Sequence, residues 1–177
     1  MHKRIIKRVS LIVGAVFVTG ALTGTALAVL GSAGGSQVRV DTRTETAANV
    51  SGVAAFGDLP GASLNVSVPA GLSRLFSAAF TAESQCSGPG SGYCSVRIIA
   101  TNVFTGGTVE LNPAAGADYA FDSDEAGNSQ DLWEGHAMDR SIRLPGGTYR
   151  IRVQRRVTVP GITFRLDDWH LAVTTNL

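Results

Sequence analysis

Five arginines in the last third of the sequence carry charge that could bind an anion. This set, the predicted arginine face, consists of Arg143, Arg150, Arg152, Arg156 and Arg165. In the run TYRIRVQRRV, arginines alternate with apolar residues. Successive side chains of a β-strand point to opposite faces, so the run predicts a strand with its guanidinium groups on the outer face. Arginine pairs in a planar, bidentate manner with carboxylates and phosphates, which makes anion binding the chemistry to consider.

The segment LPGGT predicts a turn that joins MDRSIRL to TYRIRVQRRV as a β-hairpin. That hairpin would place Arg143 opposite Arg150, and a second turn at residues 158–161 would place Arg165 opposite Gln154. Three interpretations stay open. The arginines pair with carboxylates of neighbouring strands or of residues 112–139, they bind an external anionic polymer of the cell envelope, or the hairpin does not form. The last arises because consecutive strands of jelly rolls often lie in opposite sheets.

The acidic segment Asn112–Asp139 has little strand character and contains a candidate calcium site. Its candidate ligands are Asp122, Asp124 and Asp131, and the first two begin a D-x-D pattern. An EF-hand loop needs a bidentate glutamate at its twelfth position, where this sequence has Trp133. The sequence therefore predicts at most a weak, irregular calcium site, and a solvated acidic loop is the alternative.

Trp133 lies in the same acidic segment, beside Glu134 and close to His136. An exposed tryptophan near polar groups can stack on the apolar face of a sugar ring while the hydroxyls find polar partners. Trp133 is therefore a candidate glycan-stacking residue. The alternative is that its ring packs inward and anchors the loop.

Catalytic motifs are scarce. Beyond the first 28 residues the only histidines are His136 and His170, and neither G-x-S-x-G nor H-E-x-x-H occurs. Asp168 and His170 are two apart and could share one strand face as an acid-base pair. Most other acids cluster in one segment, which does not favour two carboxylates facing each other across a sugar bond. We expect a non-catalytic binding or surface module without a cofactor, with a small polysaccharide hydrolase as the alternative.

The first 28 residues have the layout of a secretory signal peptide. A basic start precedes an apolar run that ends in the small-residue triplet Ala26-Leu27-Ala28. We expect cleavage after Ala28, a flexible lead-in over residues 29–37 and a secreted product. The alternative is a retained N-terminal membrane anchor, since residues 11–30 are long enough to span a bilayer as a helix.

Without that leader the chain has 11 basic residues, all arginine, against 14 acidic residues. General nucleic-acid binders of this size are distinctly basic, so we expect no nucleic-acid partner. An acidic glycan or another anionic envelope polymer is the partner class that the arginines suggest.

The two cysteines of the sequence, Cys86 and Cys94, bracket the turn-forming segment SGPGSGY. An even, closely spaced pair in an exported chain predicts a disulfide. A zinc site is not expected from two thiols alone, because they leave the coordination shell half empty.

Short β-type runs separated by turn signals fill the rest of the chain. The signals are DLPG, VPAG, FTGG, LPGG and VPG. No window sustains a helical apolar stripe, and about 8–10 strands at this spacing predict an all-β fold. We expect residues 38–177 to form one antiparallel, jelly-roll-like β-sandwich domain, preceded by the signal helix.

The second half of the chain also supports this fold by resemblance. The stretches ESQCSG, YCSVRI, LPGGTYRIRVQ and FRLDDWHLAV resemble secreted jelly-roll-like β-sandwich proteins of unknown function from high-GC bacteria. The resemblance spans about residues 60–175. It implies the fold and export, and it carries over no catalytic residue, because folds of this type host many unrelated activities.

Overall fold

The computed structural model describes residues 37–88, 92–115, 119–124 and 132–177, which form an all-β structure. The predicted leader, residues 1–28, lies outside these residues. Eight strands are present: β1 Gln37–Glu45, β2 Asn49–Ser51, β3 Gly57–Ser87, β4 Gly92–Asn102, β5 Thr108–Glu110, β6 Asp122–Asp124, β7 Glu134–Val157 and β8 Thr163–Asn176. In these ranges no helix is long and apolar enough to cross a membrane.

All strand pairs are antiparallel, in the order β1-β8-β3-β7-β4-β5. The short strand β2 pairs with β8, and β6 pairs with β4. The first half of β3 lies beside the second half of β7, which in turn pairs with β4. The second half of β3 lies between β8 and the first half of β7. The fold is the antiparallel, jelly-roll-like β-sandwich that the sequence predicts.

Strands β3 and β7 are long because several predicted turns are bends inside them. The register of the β3–β7 pair shifts between Asp58 and Ser63 and again between Val68 and Ser73, where the sequence reads DLPG and VPAG. LPGG likewise lies inside β7. In contrast, FTGG joins β4 to β5 and VPG joins β7 to β8, as turns do.

The predicted hairpin at LPGG is therefore wrong. Gly147 has a φ of +154°, which bends the strand without ending it. Gly146 lies against the VPAG bend of β3, since a Cβ built at Gly146 would be 2.9 Å from the Pro69 carbonyl oxygen. The two bends pack on each other, and both strands continue past them.

The core of the β-sandwich contains the large side chains of Phe76, Phe80, Phe164 and Trp169, all at most 2% exposed. The ring of Trp169 packs against Gly61, where an added Cβ would be 3.3 Å from it. Gly61 has a φ of +78°. A glycine therefore serves both the bend and the close approach of β3 to the core tryptophan.

The predicted disulfide between Cys86 and Cys94 is confirmed. The two residues lie at the end of β3 and the start of β4, with a Cα–Cα distance of 5.8 Å, which is normal for this bond. The bond closes a short loop beside β6, because Cys94 pairs with Asp122 in the sheet.

Candidate functional site

Of the five arginines that were predicted to share one face, the structure separates Arg143 and Arg165 from the three that alternate along the second half of β7. Arg143 lies in the first half of β7 opposite Leu75, whereas Arg150 lies beyond the bend and opposite Asn65. Arg165 is on β8, opposite Gln85 and Val50. The predicted pairing of Arg143 with Arg150 is wrong because the LPGG hairpin does not form. The predicted pairing of Arg165 with Gln154 is wrong because β8 pairs with β3 rather than with β7.

Arg152 belongs to a network centred on Asp58, which we call the Asp58 network. Its Nη1 atom donates to Asp58 Oδ2 at 2.7 Å, and its Nη2 atom donates to Thr101 Oγ1 at 2.9 Å. Gln154 Nε2 donates to Asp58 Oδ1 at 2.7 Å. Burial alone would raise the pKa of Asp58, but the hydrogen bonds from Gln154 and Arg152 and the charges of Arg152 and Arg150 together lower it.

The network continues across β4. Arg97 Nε donates to Gln154 Oε1 at 2.9 Å, and Arg97 Nη1 lies 3.5 Å from Glu110 Oε2. The guanidinium groups of Arg97 and Arg156 both lie over the ring of Phe56, at 4.1 and 4.6 Å from its centroid. Arg165 donates to Gln85 Oε1. Arg152, Arg156 and Arg165 thus contact the protein's own side chains.

Arg150 is different because it is exposed and lines an open groove. The groove, of about 440 Å³, is lined by Arg43, Gly61, Ser63, Asn65, Val103 and Arg150, and we call it the Arg43–Arg150 groove. Arg150 Nη2 donates to Ser63 Oγ at 3.2 Å. In the described ranges, neither Arg43 nor Arg150 has a carboxylate within 4.0 Å.

A second hollow adjoins the same edge of β1 and β3. Its volume is about 200 Å³, and its lining includes Arg39, Asp41, Ser67, Pro69 and Arg74. Arg39 pairs with Asp41 at 2.6 Å. Because β1 is extended, Arg39 and Arg43 lie roughly 13 Å apart along it, at about 3.3 Å per residue. Asp41 lies between the two arginines and pairs with Arg39, so Arg43 is the unpaired one of the two within the described ranges.

Arg43 and Phe104 are surface residues that the sequence analysis did not select. Phe104 follows groove residue Val103 in the β4–β5 turn and is 83% exposed. Arg43 occurs in the alternating run RVDTRTE, which is a weaker version of the signal that drew attention to Arg150.

Trp133 is 43% exposed and lies just before β7. It does not line the Arg43–Arg150 groove. The prediction that Trp133 stacks on a glycan stays a prediction, separate from the arginines.

The candidate calcium site stays a prediction, because not all of its three ligands lie within the described residues. Asp122 and Asp124 bound β6 and pair with Cys94 and Gly92, while Asp131 lies outside the described ranges. Asp122 instead contacts Ser84, a residue that the sequence analysis did not consider.

We call Ser84, Asp122, Glu134 and His136 the Ser84 cluster. Ser84 Oγ donates to Asp122 Oδ2 at 2.7 Å and lies 2.8 Å from His136 Nδ1. His136 Nε2 lies 3.7 Å from Glu134 Oε2. A serine, a histidine and carboxylates resemble a nucleophile with its base, but Ser84 is fully buried. Its hydroxyl is engaged by Asp122, so a substrate carbonyl cannot reach it.

Asp168 and His170 do not form an acid-base pair, because a bulge at Asp168 breaks the regular alternation of side chains in β8. Thr81 pairs with His170 and Glu83 with Asp167, which leaves Asp168 as the extra residue with a φ of +43°. No hydrogen bond joins the side chains of Asp168 and His170, both of which lie in the described range 132–177.

No protein-family model and no curated protein matches the sequence. Among solved structures, the chain is similar to a structure of the infectious bursal disease virus Gx strain. The identity is 16% over 78% of this chain and 32% of that chain, and the TM-score is 0.45. It is also similar to Eiger TNF from S. frugiperda, with 12% identity over 76% of this chain and 93% of that chain and a TM-score of 0.40. The chain thus spans about a third of the viral chain and nearly all of the TNF chain. Similarity at this level does not indicate what the chain binds.

Proposed function

We propose that the protein is an exported, non-catalytic binding module whose Arg43–Arg150 groove binds an acidic polysaccharide of the cell envelope. The observation that carries the proposal is the pair of exposed arginines that line one groove without a carboxylate partner in the described ranges. Other arginines of β4 and β7 contact Asp58, Glu110 or Phe56. Arg43 and Arg150 are therefore available to an external anion.

The groove lining suits a sugar acid rather than a bare ion. Ser63 and Asn65 provide a hydroxyl and an amide beside the two guanidinium groups. A guanidinium binds a carboxylate or phosphate in a bidentate manner, while hydroxyl and amide groups exchange hydrogen bonds with sugar hydroxyls. Arg74 lines the second hollow and offers a further guanidinium group to a longer polymer. Phe104, which follows groove residue Val103 in sequence, has an exposed ring that could stack on a sugar, although the ring lines a separate hollow with Leu72.

The proposal is tested by measuring binding of the protein to polygalacturonate, a uronate polymer, and to neutral dextran. We expect binding to the uronate polymer alone. The double variant Arg43→Gln, Arg150→Gln should lose it. Arg143→Gln is the matched control, because Arg143 is exposed on the same strand but does not line the groove. Equal binding of both polymers, or equal loss in the control, would refute the assignment of the groove.

Export is part of the proposal and rests on the leader pattern of residues 1–28. Mass spectrometry of protein recovered from culture medium should find a chain that begins at Val29 or a nearby residue. Recovery of the uncleaved chain from the membrane fraction would instead support an N-terminally anchored protein.

A further inference from the structure

The proton positions in the Ser84 cluster can be derived from its hydrogen bonds. Ser84 has one hydroxyl hydrogen, which it donates to Asp122 Oδ2, an acceptor when ionised. Ser84 Oγ must therefore accept the hydrogen bond from His136, so Nδ1 carries the proton. A neutral His136 then has its unprotonated lone pair on Nε2.

That lone pair faces a negative charge. Nε2 lies 3.7 Å from Glu134 Oε2, beyond a hydrogen bond. One atom from each of Asp122, Glu134 and His136 lies within 4.8 Å of the other two. Two carboxylates close to each other repel, and a cation between them and the imidazole would remove that repulsion.

We propose that Asp122, Glu134 and His136 bind a divalent transition-metal ion of the zinc type. Zinc is bound by histidine nitrogen and carboxylate oxygen at about 2.0–2.2 Å, so two of its ligands lie at most about 4.4 Å apart. The Glu134 side chain is 63% exposed and free to rotate over the short remaining distance.

The contacts of the cluster match those that orient zinc ligands in proteins. A histidine ligand usually donates its other ring N–H to a fixed oxygen, which sets its tautomer. Ser84 Oγ provides that oxygen, and the same atom holds Asp122 through Oδ2. The ring of Phe121 packs 5.5 Å from that of His136, centroid to centroid. The histidine is therefore held in place before a metal arrives.

Nitrogen ligation also separates this site from the calcium site that the sequence suggests. Calcium takes six to eight oxygen ligands, whereas imidazole selects zinc and other transition metals. The site is distinct from the Arg43–Arg150 groove, with which it shares no residue. Its failure would leave the proposed function intact.

The test is calorimetric titration of the untagged protein with zinc chloride and with calcium chloride. We expect saturable binding of one zinc ion per chain and no calcium heat. Both cysteines are in the disulfide, so thiolates do not compete. Glu134→Gln should weaken zinc binding at least about tenfold. Because Glu134 is exposed, that variant should fold normally. His136→Gln should abolish binding, and His170→Gln should leave it unchanged as the matched control.

The melting temperature gives a second readout. Zinc that binds the folded state raises it by mass action in the wild type and in His170→Gln. The rise should be absent in His136→Gln. Absence of zinc heat, equal affinity in Glu134→Gln, or equal response to calcium would overturn the proposal. In that case the Ser84 cluster would be a hydrogen-bonded part of the fold that holds no metal.

Discussion

Arg152 and Asp58 form a 2.7 Å salt bridge between β7 and β3, whereas Arg150, two residues earlier, donates a side-chain hydrogen bond to the Ser63 hydroxyl and has no carboxylate within 4.0 Å in the described ranges. Neighbouring outward arginines of one strand therefore have different roles. Arg152 links β7 to β3 through Asp58, and Arg150 lines the groove.

This difference predicts opposite effects of two matched substitutions. Arg152→Gln should lower the free energy of unfolding by about 0.5–1 kcal/mol, because it removes a partly exposed ion pair. Arg150→Gln should leave stability nearly unchanged but weaken polymer binding. Urea unfolding of both variants checks this, and an equal loss of stability in the two would contradict the separate roles.

The Asp58 network should also make stability depend on pH. The pKa of Asp58 in the folded state is lower than the ordinary 3.8, so the ionised carboxylate stabilises the fold fully at pH values above 3.8. The contribution is lost as the pH falls through the lowered pKa. Asp58→Asn should therefore be less stable than wild type at pH 7, and the gap should close in strong acid. Asp58 is well exposed, so the gap is below about 1 kcal/mol.

The packing of the two bends predicts a cost for filling Gly146. A methyl group there would overlap the Pro69 carbonyl oxygen and lie 3.0 Å from the Ala70 Cα atom. Because backbone atoms cannot move aside cheaply, Gly146→Ala should destabilise by about 1–3 kcal/mol. Gly57→Ala is the control, since nothing lies within 4 Å of the added Cβ. A thermal melt that shows equal stability of the two variants would contradict the bend packing.

The disulfide should stabilise the fold locally. Replacing Cys86 and Cys94 together by serine should lower the free energy of unfolding by about 2–3 kcal/mol, as loop-closure entropy predicts for a short loop. Thiol labelling of the denatured, unreduced wild type should detect no free thiol. Two reactive thiols per chain would contradict the bond.

The alternation of apolar and polar residues in the sequence predicted the strands and the side chains that they bury. The residues Tyr149, Ile151, Val153 and Val157 alternate in sequence and are all buried. The same patterns did not distinguish a turn from a bend at LPGG, because proline and glycine suit both. Only the packing of Gly146 on Pro69, far away in sequence, decides between them.

The candidate sites were harder to predict because their residues are distant in sequence. Ser84 is 38 residues from Asp122 and 52 from His136, and the three meet only when β3, β6 and β7 assemble. Arg43 and Arg150 come from β1 and β7, which are not neighbours in the strand order. Composition identified the arginines as unusual, but it could not show which ones pair internally.

The most direct test of the proposed function is the salt dependence of polygalacturonate binding by wild type and by the Arg43→Gln, Arg150→Gln variant. Charge pairs at an exposed groove are screened over about 10 Å at 0.1 M salt and about 3 Å at 1 M. Wild-type affinity should therefore fall by about tenfold or more over that range, and the variant should show no measurable binding at any salt concentration. Salt-independent binding, or binding retained by the variant, would contradict recognition of an anionic polymer by these two arginines.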